Sequence, residues 1–274
     1  MESIISYFSS IPVEHRTFYL IGGFTFLFML ETGMPLFNFK YHKKKHTFIN
    51  LFYTFSSIVV NLIGASLILW AANYNSVHQA GILNALTLPI WAEVVIGLLI
   101  LDLVGAWLVH WMEHKVKWMW KFHIIHHSDP NVDVTSGLRH HPVENVFRLC
   151  FTILAILISG ANFGLVMIYQ TVSVFFAHFS HANIRLPKKI EHFISFIFIT
   201  PRFHRIHHHF MQPHTDSNYG NIFSFWDYIF KTKKDFENSK KIRFGVDTHM
   251  DKEEISSLIN LLTIPFQPYR SPQK

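Results

Sequence analysis

Residues 18–37, 48–72 and 90–112 are three almost unbroken apolar runs, each near the length of about 20 residues that a helix needs to cross a bilayer. A fourth run, residues 146–182, is longer. It is interrupted at Ser159-Gly160-Ala161-Asn162-Phe163-Gly164, which predicts a helical hairpin that enters from one face and returns to it, each arm slightly short for a full crossing. Beyond Asn183 the chain turns polar and rich in histidine until Lys240. Near its end Asp251 and Glu254 form a capping box ahead of Ile255, Leu258, Ile259 and Leu262, the pattern of a short amphipathic helix. The pattern predicts an all-α fold: a multi-pass helical membrane protein with about four transmembrane segments or hairpins and a cytoplasmic His-rich helical cap.

Composition agrees. Half of the 274 residues are hydrophobic, 28 are Phe and only 15% are charged, too apolar for an ordinary soluble enzyme of this size. The net charge of +6 comes from basic residues that flank the apolar runs, so it reads as a topology signal and implies no nucleic-acid partner. Residues 40–46 are strongly basic, whereas residues 72–89 carry no Lys, Arg, Asp or Glu, which places the first loop in the cytoplasm and the second outside. Residues 113–145 and 183–274 then fall on the cytoplasmic side. Lys43, Lys44 and Lys45 read as a solvated loop. Glu2 takes the place of a basic start and no cleavage site follows, so the N-terminal run is expected to remain as an anchor. The final residues, Arg270 to Lys274, lack a Lys-rich retrieval signal, and the expectation is a bacterial plasma membrane rather than an endoplasmic reticulum. Cys150 is the only cysteine and sits in an apolar run, which excludes an internal disulfide and a Cys-based metal site.

The candidate chemistry lies in histidine. Fifteen of the 20 His fall between His110 and His214. His110 and His114 are four apart, so on a helix they share one face, and His123-Ile124-Ile125-His126-His127 and His204-Arg205-Ile206-His207-His208 repeat one facing pattern. His178 and His181 stand at the end of the returning hairpin arm, on the same membrane face. His110, His114, His123, His126, His127, His181, His204, His207 and His208 are too many for one tetrahedral metal and suit two metals taking about four or five each. His15, His42, His46, His78, His192 and His249 read as satisfied polar residues near the headgroups, and His209 and His214 as surface residues. His178 is balanced between the two.

Imidazole alone suits iron, copper or zinc. The sequence contains no Glu-x-x-His, which separates it from soluble di-iron carboxylate bundles. A redox-active iron pair beneath the headgroups, with an apolar bundle above it, is placed to use dioxygen against an alkyl C–H bond. No Gly-rich nucleotide loop is present, so electrons must come from a separate donor.

Between residues 102 and 232 these motifs, together with Thr135-Ser136-Gly137-Leu138-Arg139-His140-His141-Pro142-Val143-Glu144, His181-Ala182-Asn183 with Leu186-Pro187, and Asn218-Tyr219-Gly220-Asn221 ahead of Trp226-Asp227, resemble the fatty acid hydroxylase and sterol desaturase superfamily of membrane non-haem di-iron enzymes. The resemblance implies that the nine His bind two iron ions with dioxygen as co-substrate, and that no catalytic residue is needed beyond these ligands. It implies that His141 joins the ligands or orients one, that His178 is a further candidate, and that Asn183 reaches a metal or its water. Asp102 would be a carboxylate behind the ligands or a structural one. Arg139 and Glu144 would pair across the Pro142 turn, while Tyr219, Trp226 and Asp227 serve packing and turns. Trp111 stands where the family usually has Arg. No His-Pro-Gly-Gly haem domain is appended, which implies a separate reductase, ferredoxin or haem protein. The implied organisation is N-terminal transmembrane helices in residues 1–97, a di-iron domain in 98–235 and a cytoplasmic tail in 236–274. The implied activity is hydroxylation of a lipid C–H bond, with desaturation at the same site as the alternative; a metal transporter and a haem anchor fit less of the pattern.

Overall fold

The computed structural model describes residues 1–236 and 242–272, and within them the regular structure is helical, with three isolated β-bridges and no strand. Lys240, the expected end of the polar tail, and Gln273 and Lys274 lie outside the described residues. Among the described residues four helices are long and apolar enough to cross a membrane: Lys43–His78, Ile90–Lys115, Pro142–Ser159 and Phe163–His181. The first of these is α3. The second contains α4 (Ile90–Asp102), a π-helical stretch Leu103–Leu108, and α5 (Val109–Lys115). The last two, α7 and α8, are the expected hairpin.

The hairpin turns where the sequence breaks. Asn162 accepts a hydrogen bond from the Leu165 N–H and so caps α8, while Gly160 closes α7 at φ +79°. A Cβ on Gly160 would stand 2.7 Å from the Ala80 carbonyl oxygen, so this corner fits against the loop after α3 only without a side chain. Ile68, Leu101, Ile156 and Leu165 from α3, α4, α7 and α8 meet in the largest apolar cluster.

The first expected span is displaced. After the short α1 (Glu2–Ser9), helix α2 runs Val13–Gly33, carries Glu14, Arg16 and Glu31, and is not among the four apolar helices. Buried Glu31 accepts from the backbone N–H groups of Val134 and Asn183, so α2 ends on the His-bearing side of the bundle. The tail also differs from the single amphipathic helix expected. Asp251 caps α12 (Lys252–Ile255) through the N–H groups of Glu253 and Glu254, but the Glu254 carboxylate turns to Arg270. Ser257 then starts a separate α13 (Leu258–Thr263), in which Leu261 is buried and Ile259 is 74% exposed. Leu261 packs with Ile49, Tyr53 and Ile125, which ties the tail to α3 and to α6 (Lys117–His127).

Candidate metal centre

Helices α5 and α6 bring four imidazoles together with one from α10 (Pro201–His207): ligand-capable nitrogens of His110, His114, His123, His127 and His207 all lie within 4.8 Å of one another. A second group with the same spacing contains His126, His181, His204 and His208. The nine expected histidines therefore divide five and four. His181 arrives from the end of α8, 23 to 55 residues in sequence from the other three of its group.

In four rings of the first group the outer nitrogen is occupied and the inner one is free. His110 Nδ1 is 2.7 Å from the Tyr219 carbonyl oxygen, His114 Nδ1 3.2 Å from Asp216, His123 Nδ1 2.8 Å from Glu144 and His207 Nδ1 2.6 Å from the Ser217 carbonyl oxygen. These acceptors fix the N–H on Nδ1, and each Nε2 is a buried lone pair without a hydrogen-bond partner. Both His127 nitrogens are unpartnered. In the second group His181 Nε2 lies 3.1 Å from His126 Nε2, 3.0 Å from His208 Nε2 and 3.1 Å from His204 Nε2. His181 Nδ1 is already held by the Ala177 carbonyl oxygen, so its Nε2 is a lone pair facing three others. A bound cation satisfies such a convergence, whereas protons cannot satisfy all of it. Burial, reinforced by the neighbouring imidazoles, holds His126, His127, His204, His207 and His208 well below the usual imidazole range. Burial pushes His123 down to about 3, against the pull of Glu144. Neutral, desolvated imidazoles of this kind are the donor set that a borderline transition metal takes.

A buried carboxylate network braces the first group. Glu144 accepts from His123, from His140 at 2.7 Å and from Arg148 Nε at 3.1 Å, and Arg148 also pairs with buried Glu113. His140 stacks on His126 at 4.7 Å and joins His123 and Glu144 in a third metal-capable group. The sequence reading passed over His140, Glu113 and Arg148; the four-residue step from His140 to Glu144 was the available signal. Tyr219 does more than pack a turn, since its ring lies against His110, His114 and His207.

Several expected roles are displaced. Arg139 does not pair with Glu144; it is buried and donates to the Ile125 carbonyl, Asn50 and Ser128. His141 caps α7 through the Val143 N–H and rests on Phe122, so it joins neither group. His178 Nδ1 is held by the Val134 carbonyl oxygen, outside both groups. Asn183 exchanges hydrogen bonds with the Phe37 backbone and does not reach the centre. Asp102 is structural: it accepts from the N–H groups of Ile222 and Phe223 and from the Trp226 indole, holding the loop that presents the Tyr219 carbonyl. His209 is buried and bonded to Met211, not a surface residue. Trp111, in the place of the usual Arg, stacks on Trp107 at 6.3 Å.

His110, His126, His140, His181 and His204 form the floor of a cavity of about 690 Å³ that runs up between α3, α7 and α8. Its walls include Leu62, Leu69, Leu149 and Met167. Gly137 admits this geometry, because a Cβ there would stand 2.5 Å from the Ala177 carbonyl oxygen on α8.

Residues 94–232 match the family model described as fatty acid hydroxylase. Among curated proteins, ornithine lipid hydroxylase OlsE of Rhizobium tropici is 28% identical over 53% of this chain, and the match spans only 42% of that protein. Methylsterol monooxygenase 1-3 of Arabidopsis thaliana is 27% identical over 79% of this chain and 74% of its own length. Very-long-chain aldehyde decarbonylase GL1-11 of Oryza sativa subsp. japonica is 22% identical over 86% of this chain and 89% of its own. No solved structure matches.

Proposed function

The chain belongs to the fatty acid hydroxylase family, and on that premise we propose that it is a di-iron monooxygenase that hydroxylates an unactivated C–H bond of a lipid. It is an integral-membrane oxidoreductase acting on lipids. The observation that carries the finer reading is the convergence of nine buried imidazoles, in groups of five and four, at the floor of a largely apolar cavity.

Two irons, when bound, supply the redox chemistry with dioxygen that breaking an alkyl C–H bond requires and that acid–base side chains lack. The chain's own residues do the rest. His110, His114, His123, His127 and His207 hold one iron and His126, His181, His204 and His208 the other. Glu144, the Ser217 carbonyl and the Tyr219 carbonyl keep three of these rings turned with Nε2 inward. Leu62, Leu69, Leu149 and Met167 give the alkyl chain an apolar wall. The proposed oxygenase domain is residues 98–235, flanked by helices in 1–97 and a tail in 236–274. The basic segment 40–46 orients the histidine face to the cytoplasm of a bacterial plasma membrane, where a separate reductase, ferredoxin or haem protein delivers electrons.

The test is mass spectrometry of lipid extracts from cells grown under isotopically heavy dioxygen, comparing this chain with His127→Ala. One heavy oxygen in a lipid of the active strain alone supports hydroxylation. Loss of two hydrogens without oxygen gain replaces it with desaturation, and purified protein devoid of iron overturns the metal assignment.

A further inference from the structure

The cavity that the histidines line also takes in a charge part-way along its length. Arg16 of α2 lines it together with Leu20, Asn61 and Gln170, and donates to Gln170 Oε1 at 3.1 Å. Among the described residues no carboxylate pairs with this guanidinium; every Arg or Lys ion pair found there involves other residues. One of its five donors is engaged by Gln170, and Gln170 in turn retains its amide N–H groups. A guanidinium that only snorkelled to the headgroups would turn outward and leave the cavity apolar. Arg16 is half-buried and faces inward beside apolar Leu20 and Met167.

We propose that Arg16 and Gln170 bind the anionic group of the lipid, a carboxylate or phosphate, and so set which carbon reaches the histidines. The inference rests on the lipid reading above and narrows it to a substrate class: an acyl chain with an anionic head held at Arg16 and Gln170, away from the histidines. Gln170 and His181 lie on the same helix, 181 − 170 = 11 residues apart, which is about 16 Å along its axis. An extended alkyl chain with bonds of about 1.5 Å covers that span with roughly a dozen methylenes. The attacked carbon therefore lies in the distal part of a long chain, far from the head. A neutral sterol or alcohol offers the guanidinium only an uncharged hydroxyl acceptor and leaves a desolvated charge without a counter-charge.

The experiment measures equilibrium binding of radiolabelled tetradecanoate and tetradecanol to the detergent-solubilised full chain at pH 8, with acetate as a competitor lacking the alkyl chain. Three variants accompany the wild type: Arg16→Gln, Arg16→Lys, and Thr152→Trp, which fills the middle of the cavity. The wild type is expected to prefer tetradecanoate by at least about tenfold, the size of one charge-assisted hydrogen bond. Arg16→Gln should bind both equally, and Arg16→Lys should keep most of the preference, which separates loss of charge from misfolding. Equal binding of both amphiphiles by the wild type, abolished by Thr152→Trp, overturns the anion site while the lipid cavity stands. Failure of both to bind overturns the lipid reading as well. Displacement by acetate as effective as by tetradecanoate assigns Arg16 to free small anions and overturns the headgroup assignment.

Discussion

Replacing Glu144 by Gln removes a charge from beneath one metal group while leaving a carbonyl oxygen in place. Glu144 Oε1 accepts from His140 at 2.7 Å, His123 at 2.8 Å and Arg148 at 3.1 Å, whereas Oε2 is buried without a partner. The amide nitrogen of Gln can occupy the Oε2 position without opposing a donor, so the substitution weakens three contacts and adds no clash. A hydrogen bond to a charged acceptor is roughly twice as strong as one to a neutral acceptor, so the His123 ring loses about half its anchor. Outer partners of metal-binding His are worth about 10–100-fold in metal affinity, or about 1.4–2.8 kcal/mol. The loss should fall mainly on one site, because His123 belongs to the group of five, whereas Glu144 reaches the group of four only through the His140 ring stacked on His126. Arg148 keeps Glu113, which limits the damage to folding. The assay is metal content of purified protein during titration with a competing chelator. The expected outcome is that about half of the bound metal is stripped at a 10–100-fold lower chelator concentration and the other half follows the wild-type curve. A Glu144→Gln protein of unchanged elution volume whose whole curve overlays the wild type would refute the reasoning.

His127→Ala should abolish turnover and lower metal content while membrane insertion stays intact, because His127 contributes two unpartnered buried nitrogens and no lipid-facing surface; membrane fractionation with metal analysis checks it. Gly160→Ala should lower the thermal midpoint and folded yield by forcing a Cβ into a left-handed residue against the Ala80 carbonyl, a conformational cost of about 1–2 kcal/mol before the clash is counted. Asp129 sets a pH dependence. Burial alone would raise its pKa, but His46, Arg139 and Ser136 together hold it far below the usual carboxylate range. A depressed folded pKa gives stability that is present above the unfolded value of about 3.9 and is lost as pH falls through the interval below it. Thermal scans of the wild type should therefore fall steeply below about pH 4, and Asp129→Asn, less stable at neutral pH, should lose that part of the slope. An unchanged slope in the variant would remove Asp129 as its source.

Local periodicity needs only helix geometry, and so it was readable. The steps of three and four between His123, His126 and His127, and between His204, His207 and His208, put imidazoles on neighbouring turns wherever those helices pack. The apolar runs likewise announced a helical membrane protein, and the Gly160-Ala161-Asn162 break announced the hairpin, because an αL residue and an N-cap are properties of a few adjacent residues. The position of α2 was not readable in this way. Its ends depend on Glu31 meeting the Val134 and Asn183 backbone, a contact across more than a hundred residues.

The site divides along the same line. That nine histidines are candidate metal ligands follows from spacing and number; that they separate as five and four follows from packing, since His207 and His208 are adjacent in sequence yet face different groups. Which polar partner each side chain takes was equally beyond the sequence. Glu144 had Arg139 within reach along the chain but faces His123, His140 and Arg148, because α5, α6 and α7 converge there. His141 and Asn183 were close enough in sequence to ligands to be taken for ligands, but the fold uses one as a helix cap and the other as a strap to Phe37. The cavity joining the histidines to Arg16 exists only in the assembled bundle, because the residues that line it come from segments that share no local pattern. The sequence alone determined a helical membrane protein with clustered histidine donors, since apolar runs, ligand type and helical spacing are local. Tertiary structure decided the partition of ligands, their partners and the shape of the space above them, since these depend on distances between segments that only packing fixes.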